Sequence, residues 1–283
     1  MRWRGRQTSS NVEDRRGSRG RVVGGTIGVG TIIFFIAYTL LTGEAPTEML
    51  QQNQPAPAGQ TQTTGHDQND ELAEFAKVVF KDTEDVWSKV FKDQLNAQYR
   101  YPKLVLYSGS TPAACGMASV ATGPFYCPAD EKVYIDLDFF RDLKRKFGAG
   151  GDFAMAYIIA HEVGHHVQNL LGITRQVQQQ RRRLSKTAYN KLSVRLELQA
   201  DYLAGVWAKH IEQMKHVLDP GDIQEAINSA ASVGDDRLQK RYTGRVVPDA
   251  FTHGTSEQRA RWFIKGFKNG TIKGGDTFNT NDL

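Results

Sequence analysis

Apolar residues are distributed along this chain in three different ways. Residues 22–43 (VVGGTIGVGTIIFFIAYTLLTG) form one uncharged block, with no polar face that a helix of a soluble core would turn to water. The stretch 44–70 is poor in large apolar side chains and rich in Gln, Pro, Thr, Ala and Gly, a composition that buries no core and predicts a flexible linker. From residue 71 the apolar positions become periodic. Leu72, Phe75, Val79, Val86, Val90 and Phe91 recur mostly at three- and four-residue intervals, as an amphipathic helix or helix pair requires. Two short β-like runs, 103–107 and 132–137, flank a loop rich in Gly, Pro, Ser and Thr and predict a small sheet. Beyond Phe153, the positions Ile158, Ile159, Val163, Val167 and Leu170 or Leu171 return to helical spacing, which Gly172 can end. The expected fold is therefore α+β, mainly helical with a small sheet, in one domain over 71–283.

Charge changes this picture at the N-terminus. Residues 1–21 hold seven arginines against Glu13 and Asp14, which accounts for the whole net charge of +5 in a chain of 283 residues. The body carries no excess of either sign, so nucleic acid drops out as a default partner. At about 1.5 Å per residue, a helix over 22–43 is long enough for the roughly 30 Å hydrocarbon core of a bilayer. Arginines before that block and Glu44 after it predict, by the positive-inside rule, a cytoplasmic basic segment (1–21), a transmembrane anchor (22–43) and a flexible linker (44–70). The domain would then be extracytoplasmic. A cleaved signal peptide fits less well, because its apolar region is only about 7–15 residues and ends in small residues around the cut.

An oxidising compartment also changes how the two cysteines are read. Cys115 and Cys127 lie in the loop between the β-like runs, and their pairing there would stabilise the fold by roughly 3 kcal/mol. A cysteine-based zinc site has no CxxC pair to build on.

Chemistry concentrates in HEVGH. His161 and His165 are one helical turn apart on the same face, the separation at which two imidazoles bind a single Zn²⁺. Glu162 is beside them, where it can take a proton from water rather than bind the metal. A third ligand is needed. The HExxHxxGxxH extension is absent, since Gln168 and Leu171 stand where it requires Gly and His. Glu197, in RLELQADYLAGVWAKHIEQM, supplies a carboxylate, and Asp201 follows one turn later. Asp201 can accept the free N–H of a ligand histidine, and the small Ala200 and Ala204 let this helix approach the first.

HEVGHHVQNLLG with ELQAD resembles the bacterial neutral zinc metallopeptidase family, grouped with the glutamate-ligand zincins (gluzincins). TPAACG, GPFYCPAD, KVYIDLDFF, GDFAMAYIIAHEVGHHVQ and HGTSEQRARWFIKGF extend the likeness over most of residues 71–283. The resemblance implies a zincin-like, membrane-tethered hydrolase of peptides or proteins with one Zn²⁺ per chain. Its ligands would be His161, His165 and Glu197, and Glu162 its catalytic base. Two other readings use the same residues: a zinc amidase of cell-wall material, and a zinc-binding scaffold without turnover.

The remaining candidates surround this set. His253 precedes Thr255 and Gln258, which stand at capping-box spacing, and a histidine at a helix start can donate to an oxyanion. Tyr134 and Tyr157 are alternative donors. His166 is about 100° around the helix from His165 and reads as supporting or structural; His210 and His216 read as surface or core residues, and the Arg181–Arg183 run as a solvated face. The strand around 133–137 is expected to form the cleft edge.

Overall fold

The computed structural model describes residues 1–16, 64–119, 122–140 and 150–283. The apolar block 22–43 is outside these, as is most of the expected linker. Among the described residues, no helix is long and apolar enough to cross a membrane.

Strand β1 (Val12–Asp14) precedes helix α1 (Thr64–Leu95), which starts earlier than the expected boundary at residue 71. Strands β2 (Lys103–Tyr107), β3 (Ser110–Ala113), β4 (Gly116–Ser119), β5 (Phe125–Cys127) and β6 (Lys132–Asp136) follow. The helices are then α2 (Asp152–Leu170), α3 (Ile173–Gln180), α4 (Lys186–Lys215), α5 (Asp222–Ser232), α6 (Asp235–Thr243) and α7 (Ser256–Asn269). The α+β class is as expected. Both predicted strands are present as β2 and β6, while β1, the β3–β4 hairpin and β5 were not anticipated.

The main sheet has the order β1-β2-β6-β5, with β1, β2 and β6 parallel and β5 antiparallel. Its residues alternate between two apolar clusters, as the period of two demands. Leu104, Leu106, Val133 and Ile135 join the main helical core, whereas Val105, Tyr107 and Tyr134 face a smaller cluster on the other side. Cys115, in the hairpin turn, is disulfide-bonded to Cys127 at the end of β5, with a Cα–Cα distance of 5.8 Å.

Helices α2, α4 and α7 pack backbone to backbone. A Cβ on Gly164, inside HEVGH, would sit 3.0 Å from the Ala200 carbonyl oxygen, so glycine there sets how closely α2 approaches α4. A Cβ on Gly266 would come within 1.9 Å of the Tyr202 carbonyl oxygen, and one on Gly205 within 2.1 Å of the Phe263 carbonyl oxygen. Any side chain at these two positions would push α7 off α4.

The N-terminal segment departs most from the sequence reading. Residues 1–16 are not a separate basic segment: β1 is an edge strand of the main sheet, and Trp3 is buried in the core against Phe75. Among the described residues, the arginines that resembled a topological signal are engaged within the fold. Arg4 pairs with Glu71, Arg6 with the buried Asp82, and Arg16 with Asp14 and Asp70. A single crossing at 22–43 would put these partners on opposite sides of a membrane.

Candidate metal centre

Helix α2 carries His161, Glu162 and His165, and α4 carries Glu197 and Asp201. Their close approach brings one ligand atom each from His161, His165 and Glu197 within 4.8 Å of one another. The Glu197 carboxylate faces both imidazoles, with Oε2 3.2 Å from His161 Nε2 and Oε1 3.4 Å from His165 Nε2.

The outer nitrogens are also engaged, and this fixes the tautomers. His161 Nδ1 is 2.8 Å from Asp201 Oδ1. A carboxylate only accepts, so Nδ1 carries a proton, and Nε2, facing Glu197, is the nitrogen that can offer a lone pair to a metal once its own proton is lost. His165 Nδ1 is 2.8 Å from Gln168 Oε1. The Gln168 amide nitrogen donates to the Leu196 carbonyl and to Gln199 Oε1, which leaves its oxygen to accept from Nδ1–H. Two inward imidazole nitrogens and one carboxylate are the donor set of a catalytic zinc site with an open fourth position, so the residues present fit this ion.

Asp201 is itself held by groups the sequence did not reveal. Arg259, from α7, donates to it twice, Nε to Oδ2 at 2.8 Å and Nη2 to Oδ1 at 2.9 Å. The buried Tyr157 hydroxyl also donates to Oδ1. Burial would raise the Asp201 pKa, but the Arg259 charge outweighs it and keeps the carboxyl below its ordinary value. Burial lowers the His161 pKa, and the Asp201 charge and hydrogen bond reverse this, so that the imidazole is pushed up to about 10 before any metal binds. His165 is raised as well, by Glu197 against burial.

Glu162 is buried beside the cluster. Burial raises its pKa above the usual carboxylate value, against the opposing pull of the two imidazoles and of the Tyr126 backbone N–H. That N–H belongs to β5, the edge strand. The cleft edge therefore differs from the one expected: β6 is paired on both sides, with β2 and β5, and has no free edge, whereas β5 borders Glu162.

His253 stands at the entrance to α7, 35 % exposed, with Nδ1 3.2 Å from Asp235 Oδ1. The Asp235 carboxylate also accepts the backbone N–H groups of Thr252, His253 and Gly254, which fixes the turn. Burial lowers the His253 pKa, but the charge and hydrogen bond of Asp235 and the charge of Glu197 raise it above its ordinary value. The capping box of Thr255 and Gln258 is present. The other proposed donors are turned away: Tyr157 is committed to Asp201, and Tyr134 donates to Asp130 from the smaller cluster. His166 is structural. Its Nε2–H donates to the Arg100 carbonyl at 2.7 Å and its Nδ1 accepts from Tyr126 at 2.9 Å, tying α2 to β5. His210 donates to the Gly270 carbonyl, and His216 ends α4 in the left-handed region with φ 51°.

Sequence reasoning missed Arg259 and Gln168. Gln168 had a signal, three residues after His165 on the same helix, whereas Arg259 is 58 residues from its partner and carried none.

Comparison with known proteins agrees with this geometry. The chain is 48 % identical over 286 residues to the uncharacterised protein YpfJ of Escherichia coli K12, covering 98 % of this chain and 99 % of that protein. It is 45 % identical over 195 residues to the uncharacterised protein Rv2575 of Mycobacterium tuberculosis, 65 % of each chain. No solved structure matches. The model of the family described as "Putative neutral zinc metallopeptidase" matches residues 1–278, and this chain belongs to that family.

Proposed function

We propose that this protein is a zinc-dependent peptidase in which His161, His165 and Glu197 hold the ion and Glu162 is the general base. The observation that carries this reading is the convergence of two tautomer-fixed imidazoles and one carboxylate beside a buried, unligated glutamate. When bound, Zn²⁺ would lower the pKa of a coordinated water toward about 7 and polarise the substrate carbonyl. Glu162, its pKa raised by burial, takes the proton from the attacking water and returns it to the leaving amine. His253, oriented by Asp235, donates to the oxygen on which negative charge develops. An extended peptide pairs with the free edge of β5, which aligns its scissile bond with Glu162. Asp201 positions His161 and raises its basicity as a ligand. Attachment to a membrane through residues 22–43 is part of this reading.

The test uses the full chain. Zinc per chain is measured for the native protein, Glu162→Gln and Glu197→Ala, and all three are assayed on a casein-like substrate and on purified peptidoglycan. The expected result is about one zinc in the native protein, retained without activity in Glu162→Gln and weakened in Glu197→Ala. Absence of zinc under metal-replete conditions overturns the reading. Hydrolysis of peptidoglycan alone replaces the peptidase with an amidase, and zinc without turnover on either substrate favours the scaffold.

A further inference from the structure

The domain holds residues 1–16 as it would a ligand. The Met1 ammonium is 3.2 Å from Asp222 Oδ1 and 3.6 Å from Asp219 Oδ2, at the start of α5. Asp222 is 4 % exposed, and its second oxygen accepts the Asp219 backbone N–H, so the carboxylate is already oriented toward the amine. The Arg2 backbone N–H donates to the Val217 carbonyl at 2.8 Å. Trp3 is 5 % exposed, and its indole N–H donates to Asp152 Oδ2 at 3.0 Å, at the first residue of the HEVGH helix.

Contacts continue along the segment. Ser9 Oγ and Asn11 Nδ2 both donate to Glu84 Oε1, at 2.6 and 2.8 Å. The Leu104 N–H donates to the Asn11 carbonyl and the Arg15 N–H to the Leu106 carbonyl, which brackets the β1–β2 ladder. Lys132 Nζ, from β6, is 2.7 Å from Glu13 Oε1. A β-ladder requires strands about 4.8 Å apart, whereas a bilayer core separates its faces by roughly 30 Å. The family match also begins at residue 1.

We infer that residues 1–16 are an integral part of the metallopeptidase domain, held by Trp3 in the core and by β1 in the sheet, and that both flanks of residues 17–63 therefore lie on one side of the membrane. The chain stays uncut after the apolar block, because cleavage there would remove Trp3 from the core and β1 from the sheet.

The test is cysteine accessibility in the full-length protein made in bacterial cells. Arg4 and Glu71 form an ion pair with side chains 74 % and 51 % exposed, so Arg4→Cys and Glu71→Cys each place a reactive thiol on the surface. The native cysteines are occupied in the disulfide. Each single variant is treated with a membrane-impermeant maleimide in spheroplasts and in inverted vesicles, and the double variant with a short bismaleimide. Labelling of both positions from the same face, whichever face it is, with a cross-link inside one chain, is the expected result. Labelling from opposite faces overturns the inference. Intact-mass analysis of the unsubstituted protein gives a second readout. A chain that still contains residues 1–16 is expected, and a first residue beyond Arg16 is the contrary result.

Discussion

On the His161 side of the metal cluster, the outer nitrogen meets a charged, fully buried assembly in which Asp201 is held by Arg259 and Tyr157. On the His165 side, the outer nitrogen meets a neutral amide, Gln168, itself held by a backbone carbonyl and another glutamine. Both arrangements fix the same tautomer, yet they differ in electrostatics. A carboxylate strengthens the imidazole as a base and as a ligand, whereas an amide orients it at little electrostatic gain. The charged side also carries greater risk, since removing one partner of a buried ion pair leaves an uncompensated charge, at about 3–5 kcal/mol.

Glu162→Gln sets the reference, because Glu162 stands beside both imidazoles and is the base of the proposed reaction. Its expected effect is a fall in kcat of about 10²–10⁴-fold with zinc content unchanged, checked by turnover and metal analysis on one preparation. Asp201→Asn comes next. Zinc affinity should fall by about 10–100-fold, and chemical denaturation should show a stability loss of about 3–5 kcal/mol from the unpaired Arg259. Gln168→Leu removes the neutral support and should weaken zinc by about tenfold, the lower end of the same range, with a smaller loss of stability. Equal effects of Asp201→Asn and Gln168→Leu in a chelator competition would break the comparison.

The pH dependence of zinc binding is the most diagnostic. With its pKa raised to about 10, His161 holds two ring protons across the neutral range, and the metal must displace one of them. Apparent zinc affinity should therefore rise with pH, about tenfold per unit between pH 6 and 8 for that one proton. In Asp201→Asn the raising charge is gone, so the His161 contribution should flatten above its ordinary value near 6.5; in Gln168→Leu it should persist. Measured zinc affinity against pH in the two variants separates the two sides directly.

How much of this was legible depends on distance along the chain. Both imidazoles of HEVGH, the flanking Glu162 and the pairing of Glu197 with Asp201 repeat at helical spacing, so the sequence places each set on one helix face. Helix ends were readable for the same reason, through Gly172 and the Thr255–Gln258 box. The edge strand was misassigned because β5 has only three residues, too few for an alternation to stand out. The arginine-rich N-terminus was misread for a different reason. Charge counting sees seven arginines before an apolar block, while the acids that pair with several of them, Glu71, Asp82 and Asp219, lie far along the chain.

By itself, then, the sequence determined the side-chain types, their order on two helices, the glutamate between the histidines and the cysteine pair, since each is set by local spacing and side-chain chemistry. Tertiary structure alone decided that α7 delivers Arg259 to Asp201, that β5 borders Glu162, and that the first sixteen residues complete the sheet. Those outcomes depend on how closely α2, α4 and α7 pack at Gly164, Gly205 and Gly266, and on ion pairs between distant segments. No pattern within a single element encodes either.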